Sequence, residues 1–147
     1  MKRPTIYFKD APSGYILCIN NKCPKSSDCI RHQAYLTLPK DVKTFPVVNP
    51  SYAEANADAC TFHRPIQYKT LAYDFSKNFN DMTKHQEAIF RSAGIAYFNR
   101  SEYYRLRGGE KEISPEDQVF LLDLAKRVGF ETTPDQFFDH FTDVIDW

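Results

Sequence analysis

CINNKCPKSSDC, residues 18–29, sets three of the four cysteines of a 147-residue chain within twelve positions. How these thiols are used decides how the first half of the chain folds. Free cysteine is generally a buried, core-seeking residue, yet the spacers INNK and PKSSD are polar and give these thiols little apolar company. The opening stretch MKRPTIYFKDAPSGYILC is interrupted by Pro4, Lys9, Asp10 and Pro12, so it lacks the apolar segment of a signal peptide. No run reaches the roughly 20 apolar residues of a membrane span. A cytoplasmic protein without a membrane partner is expected, and in that compartment thiols stay reduced. Stable disulfides are then the less favoured use.

The full constellation is Cys18-x4-Cys23-x5-Cys29 with Cys60 beyond it, and His32 and His63 each stand three positions after a cysteine. Four thiolates on loop-like backbone suit Zn²⁺ in a Cys₄ site, or in a Cys₃His site with His32 or His63 substituting for a thiol. They suit an iron-sulfur cluster equally well. Pro24 after Cys23 parallels the Cys-Pro step of bacterial ferredoxins, and the tight C-x2-C knuckles of many zinc ribbons are missing. Either group leaves a local charge of about −2, and Lys22, Lys25, Arg31 and Arg64 flank the cysteines to offset it. Inert buried thiols and thiol redox chemistry are the rival uses; the redox use lacks a C-x-x-C at a helix start.

Residues 1 to about 75 otherwise read as loops with short extended pieces at Thr5–Phe8 and Phe45–Val48. A short helix is expected from Ser27 or Asp28 toward Pro39, with Cys29 in its first turn. From about residue 80 the pattern turns helical. Thr83 and Gln86 form a capping box ahead of Ile89, Phe90, Ala93 and Tyr97, and Asn99 and Glu102 repeat that spacing before RSEYYRLR, which stops at Gly108-Gly109. Ser114 and Pro115 open a helix carrying Phe120, Leu121, Leu124, Ala125 and Val128 as far as Gly129. Thr133, Pro134 and Gln136 repeat the start signal for a last helix with Phe137, Phe138, Phe141, Val144 and Ile145 on its apolar face.

The expected fold class is therefore α+β, with a loop-rich N-terminal half bearing short strands around the cysteines and a C-terminal half of four to five helices. A content of 42% hydrophobic residues is enough for one core, so residues 1–147 are read as a single domain with sub-regions 1–78 and 79–147.

Nineteen basic residues balance nineteen acidic ones, which removes any bulk electrostatic case for nucleic acid. A local case rests on the basic helix. The run from Ala88 to Phe130 resembles in part the phage-repressor type of helix-turn-helix, which implies Arg100, Ser101, Tyr104, Arg105, Arg107 and Lys111 facing phosphates or base edges. The interval from Gly94 to Gly108 is longer than that motif's turn. The bland reading is a solvated surface helix docked through Tyr103 and Leu106. Partners of either class, nucleic acid or protein, follow from Arg100, Tyr104, Arg105, Arg107 and Lys111.

No G-x-S-x-G, HExxH, P-loop or G-x-G-x-x-G occurs, and His85 and His140, both read as helical, stand beside no nucleophile. No catalytic residue is assigned, and binding is preferred to catalysis.

Taken together, YILCINNKCPKSSDCIRHQA, VVNPSY, Cys60, YYRLRGGEKEISPEDQ and the closing Asp146-Trp147 resemble an uncharacterised family of small cytosolic Bacteroidetes proteins filed as a domain of unknown function. The resemblance implies that Cys18, Cys23, Cys29 and Cys60 are one set, with Arg31 beside them. Thr61 stands where family members tend to carry Pro. The family brings no activity. The expected function is thus a binding or regulatory module with a four-cysteine zinc or iron-sulfur site. The alternatives are an electron-transfer protein using that site, and an interaction adaptor with reduced, metal-free cysteines.

Overall fold

Leu17, Ile30 and Ala34, none of them solvent-exposed, centre the first of two units in the computed structural model, which describes residues 3–147. The first unit comprises Met1–Tyr68 with Ile145–Trp147, and the second comprises Lys69–Val144.

The first unit is loop-rich because its polar, Pro-containing sequence supports only short elements. Two helices form, α1 (Ile30–Tyr35) and α2 (Pro50–Ala55). Neither Ser27 nor Asp28 caps α1: both lie in a preceding 3-10 turn, Ser26–Asp28, and Cys29 is the N-cap. The helix ends well before Pro39, and a backbone hydrogen bond from Thr37 to the Ala34 carbonyl closes its last turn. The expected strands at 5–8 and 45–48 reduce to one parallel bridge between Leu17 and Val47, and Phe8 opens a 3-10 turn instead. Asn49 caps α2 by accepting from the Ser51 N–H at 3.1 Å, and Pro50 supplies the first helical position. A proline at the first helical position also opens the helix that follows Ser114.

Two strands, β1 (Gln67–Tyr73) and β2 (His140–Asp146), pair antiparallel, and most of each belongs to the second unit. Their register is marked by Tyr73 stacked on His140, with ring centroids 4.7 Å apart, and by the Thr70 hydroxyl donating to Asp143 Oδ1 at 2.6 Å. Ile113 adds a bridge on Ala72. The last helix is therefore much shorter than expected: α6 spans only Pro134–Phe137, and Phe141, Val144 and Ile145 belong to a strand, as does His140. Phe138 and Asp139 turn the chain, and the Asp139 N–H bonds to the carbonyls of Tyr73 and Asp74, so strand pairing takes over where the helix signal runs out.

The three middle helices match their punctuation. In α3 (Lys84–Phe98) both hydrogen bonds of the Thr83/Gln86 capping box form; Asn99 caps α4 (Arg100–Arg107) by accepting from the Glu102 N–H; Ser114 caps α5 (Pro115–Arg127). The buried face of α3 is rotated from the expected one. Phe90 and Gly94 are buried, whereas Ile89 and Tyr97 are largely exposed, Tyr97 lying flat on Phe120 at 3.8 Å. The reason is the α4 crossing: a Cβ at Gly94 would stand 2.6 Å from Cε2 of Tyr103, so only glycine admits that ring. Phe75 sits among Phe137, Tyr103 and Phe90 in the core, and the buried Asn78 amide donates to the Phe75 and Phe137 carbonyls at 2.8 and 2.7 Å. No helix among the described residues is long and apolar enough to cross a membrane.

Candidate metal centre

All four cysteines line one small cavity in the first unit, and His32 and His63 line it with them. Each arrives by a different local device. Cys18 follows buried Leu17, whose N–H and carbonyl bond to Pro46 and Val48; the Cys18 N–H bonds to the Arg31 carbonyl at 3.3 Å, and its own carbonyl faces His32 Nδ1 at 3.0 Å. A carbonyl can only accept, so Nδ1 is the protonated nitrogen of His32. Cys23 lies in a turn closed by the Ser26 N–H on its carbonyl. Cys29, the most buried of the four, is held by hydrogen bonds on either side of it, Ile30 N–H to the Arg64 carbonyl and Ile66 N–H to the Asp28 carbonyl.

Cys60 is placed by α2. The Tyr52 hydroxyl meets the Thr61 side chain at 2.8 Å, and its ring packs edge-on against Phe62 at 5.9 Å. Thr61 thus supplies a hydroxyl that anchors the Cys60 loop.

The four cysteines are free thiols. Burial pushes the Cys18 thiol up, against the Asn20 N–H that favours its thiolate, and the other three sulfurs add to the upward push, so a thiolate at Cys18 is disfavoured without a compensating cation. Two cations line it. Arg31 donates through Nε to the Phe62 carbonyl at 2.9 Å and through Nη1 to the Ile16 carbonyl at 2.8 Å, and its guanidinium lies 4.8 Å from the Tyr15 ring. Lys25 is fixed by the Asp58 carbonyl at 3.3 Å. Arg64 instead bonds the Trp147 carbonyl oxygen, and the Trp147 ring packs edge-on to Tyr15. His63 Nε2 is buried without a hydrogen-bond partner, 3.8 Å from Asp28.

Among the described residues no three His, Cys, Asp or Glu side chains are placed to hold a single metal ion as they stand.

The basic helix lies in the second unit, and its cations are largely engaged. Arg105 pairs with Glu102 at 3.7 Å, Arg107 with Glu87 at 3.7 Å, and Lys111 with Glu102 in a short contact. Arg107 also stacks on Phe79 at 3.8 Å. Arg100 faces the Tyr104 ring at 5.7 Å, and Tyr104 is partly exposed. The carboxylates that neutralise the helix are Glu87, one helix earlier, and Glu102 within it. Glu102 and Arg105 stand three apart, a pairing readable from spacing, whereas Glu87 is not.

No curated protein and no solved structure matches the chain. A family model matches it over residues 1–147, and on that match the chain belongs to DUF6078, a family of unknown function.

Proposed function

We propose that this chain is a binding module whose first unit is organised by a metal ion or iron-sulfur cluster held by Cys18, Cys23, Cys29 and Cys60. What supports the reading above all is that the four thiols, thirty residues apart at their widest gap, line a single cavity together with two cations. Four thiolates there need a cationic centre to offset their charge, and a bound centre supplies folding energy that a loop-rich unit cannot draw from its own apolar burial. The partner is a protein rather than nucleic acid. Arg105, Arg107 and Lys111 already face carboxylates, so little basic charge is left to neutralise phosphates.

The test is metal content and thiol protection in protein purified without oxygen. Near-stoichiometric metal is expected, with thiols that react with Ellman's reagent only after chelation. Fewer than about 0.2 metal-bound sites per chain, with all four thiols freely reactive, would remove the reading, because a ligand coupled to folding is held close to stoichiometrically.

A further inference from the structure

Resting on the reading that the partner is a protein, we propose that it docks on the outer edge of β2 at Phe141 and Asp143, as an extended segment carrying Lys or Arg opposite Asp143. The two-stranded sheet has two edges, and the chain treats them differently. On the β1 side the Ala72 N–H and carbonyl both bond to Ile113, at 3.1 and 2.8 Å, and the Gln118 side-chain amide donates to the Thr70 carbonyl at 2.9 Å. That edge is closed.

Register fixes what the other edge presents. Tyr73 beside His140 and Thr70 beside Asp143 place Ala72 opposite Phe141. Residues directly opposite in an antiparallel pair either exchange both backbone hydrogen bonds or none. Ala72 and Thr70 direct theirs to Ile113 and Gln118, away from β2. Phe141 and Asp143 therefore turn their own N–H and C=O groups away from β1, onto the free edge, while Thr142 faces Leu71 within the ladder. Among the described residues no backbone group bonds to that edge at Phe141 or Asp143.

Such a row of donors and acceptors is the template on which an extended peptide adds as a further strand. Main-chain bonds give the affinity in that mode and side chains give the specificity. The strand is set before a partner arrives, since fully buried Phe138 packs edge-on against Phe141 at 5.9 Å. The side chain that selects is Asp143. It is partly buried and accepts from the Thr70 hydroxyl, a neutral donor, and among the described residues no cation pairs with it. A cation directly across an added strand answers that charge. A second copy of the chain does not: β2 laid on β2 brings another Asp139 and Asp143 to an edge that already carries both, and like charges across paired strands repel.

The experiment is residue-resolved amide hydrogen exchange, by NMR, on the full chain alone and with a blocked synthetic peptide of β2's length that alternates lysine with valine. A peptide with glutamate in place of lysine is the control. In the free chain the Phe141 and Asp143 amides should exchange at least about tenfold faster than the Thr142 amide, which alone of the three is in the ladder. The lysine peptide at millimolar concentration should slow both by about tenfold, and the glutamate peptide should not. Asp143→Pro deletes an outward N–H and no ladder donor, so it should abolish the response while Thr142 stays protected. Asp143→Asn keeps the N–H and should abolish the preference for lysine.

Phe141 and Asp143 amides as protected as Thr142 in the free chain would mean that the edge is already occupied, and would overturn the proposal. An equal response to both peptides, or a response to neither, would overturn it as well. Protection that grows with protein concentration alone would assign the edge to a second copy instead. All these outcomes leave the metal content of the first unit untouched, and a steep salt dependence of DNA binding is what would remove the protein-partner reading itself.

Discussion

The Nδ1 of His32 donates to the carbonyl oxygen of Cys18 at 3.0 Å, tying the first of the four cysteines to helix α1. Because His32 is buried, replacing it by Phe strands a carbonyl without its partner. The expected loss is about 1–3 kcal/mol of stability in the metal-free chain, read by urea denaturation. On the proposed metal site, affinity for a metal ion should fall by roughly tenfold or more, since groups that orient a ligand typically cost that much; retention of metal against a chelator measures it. Unchanged denaturation and unchanged retention would show that the contact orients nothing.

Gly94 and Tyr103 form a second obligate pair, this one in the helical unit. A methyl group at Gly94 meets a fully buried ring at 2.6 Å, and neither α3 nor α4 can yield without disturbing the Phe75 cluster. Gly94→Ala should destabilise by about 1–3 kcal/mol through overpacking, although alanine is the better helix former. Combined with Tyr103→Leu, the two effects should be strongly non-additive. A urea midpoint for Gly94→Ala equal to or above the parent's would contradict the packing.

The Tyr103 hydroxyl is buried without a hydrogen-bond partner, and burial pushes its pKa from 10.0 up to about 12, against the opposing charge of Arg107. The folded chain therefore holds this proton more tightly than the unfolded chain. Its contribution to stability is complete below pH 10 and is lost as pH rises from about 10 toward about 12. Tyr103→Phe should remove that part of the alkaline loss, while at neutral pH it should be neutral or mildly stabilising, because an unpaired buried hydroxyl is deleted. Urea midpoints of both proteins across this pH range decide the matter, and parallel curves would count against it.

Glu102 neutralises two cations, Arg105 and Lys111. The parent chain should bind duplex DNA weakly even at low salt, with a log K against log [salt] slope no steeper than about −1 to −2, the value for one or two phosphate contacts. Glu102→Gln should steepen the slope by about −1 to −2 through the cations it frees. Fluorescence anisotropy over a salt series measures both. A parent slope near −5 would mean that the pairs open on nucleic acid and would favour that partner over a protein.

The boundaries of α3, α4 and α5 were legible in the sequence, though not which face of α3 is buried. Thr83 with Gln86, Asn99 with Glu102, and Ser114 with Pro115 each satisfy orphan N–H groups within one turn, and interactions so local need no tertiary partner to be read. The same signal at Thr133–Gln136 misled. Thr133 makes no side-chain cap, and Tyr73, sixty residues earlier in the chain, takes the next segment as its strand partner. Residues 140–146 form a strand because β1 stands beside them, and a pairing across that separation leaves little mark in either segment alone.

By itself the sequence determined that four thiols share a polar, loop-rich stretch and that three capped helices follow, because cap chemistry and residue spacing act over a few positions. Only the tertiary structure decided that Cys60 reaches the other three, through Tyr52 and Thr61. It alone decided that Arg107 of the basic helix is paired by Glu87 from the preceding helix. Each of these depends on which distant surfaces meet, and that is settled by packing around Leu17, Ile30 and Tyr103 rather than by any local pattern.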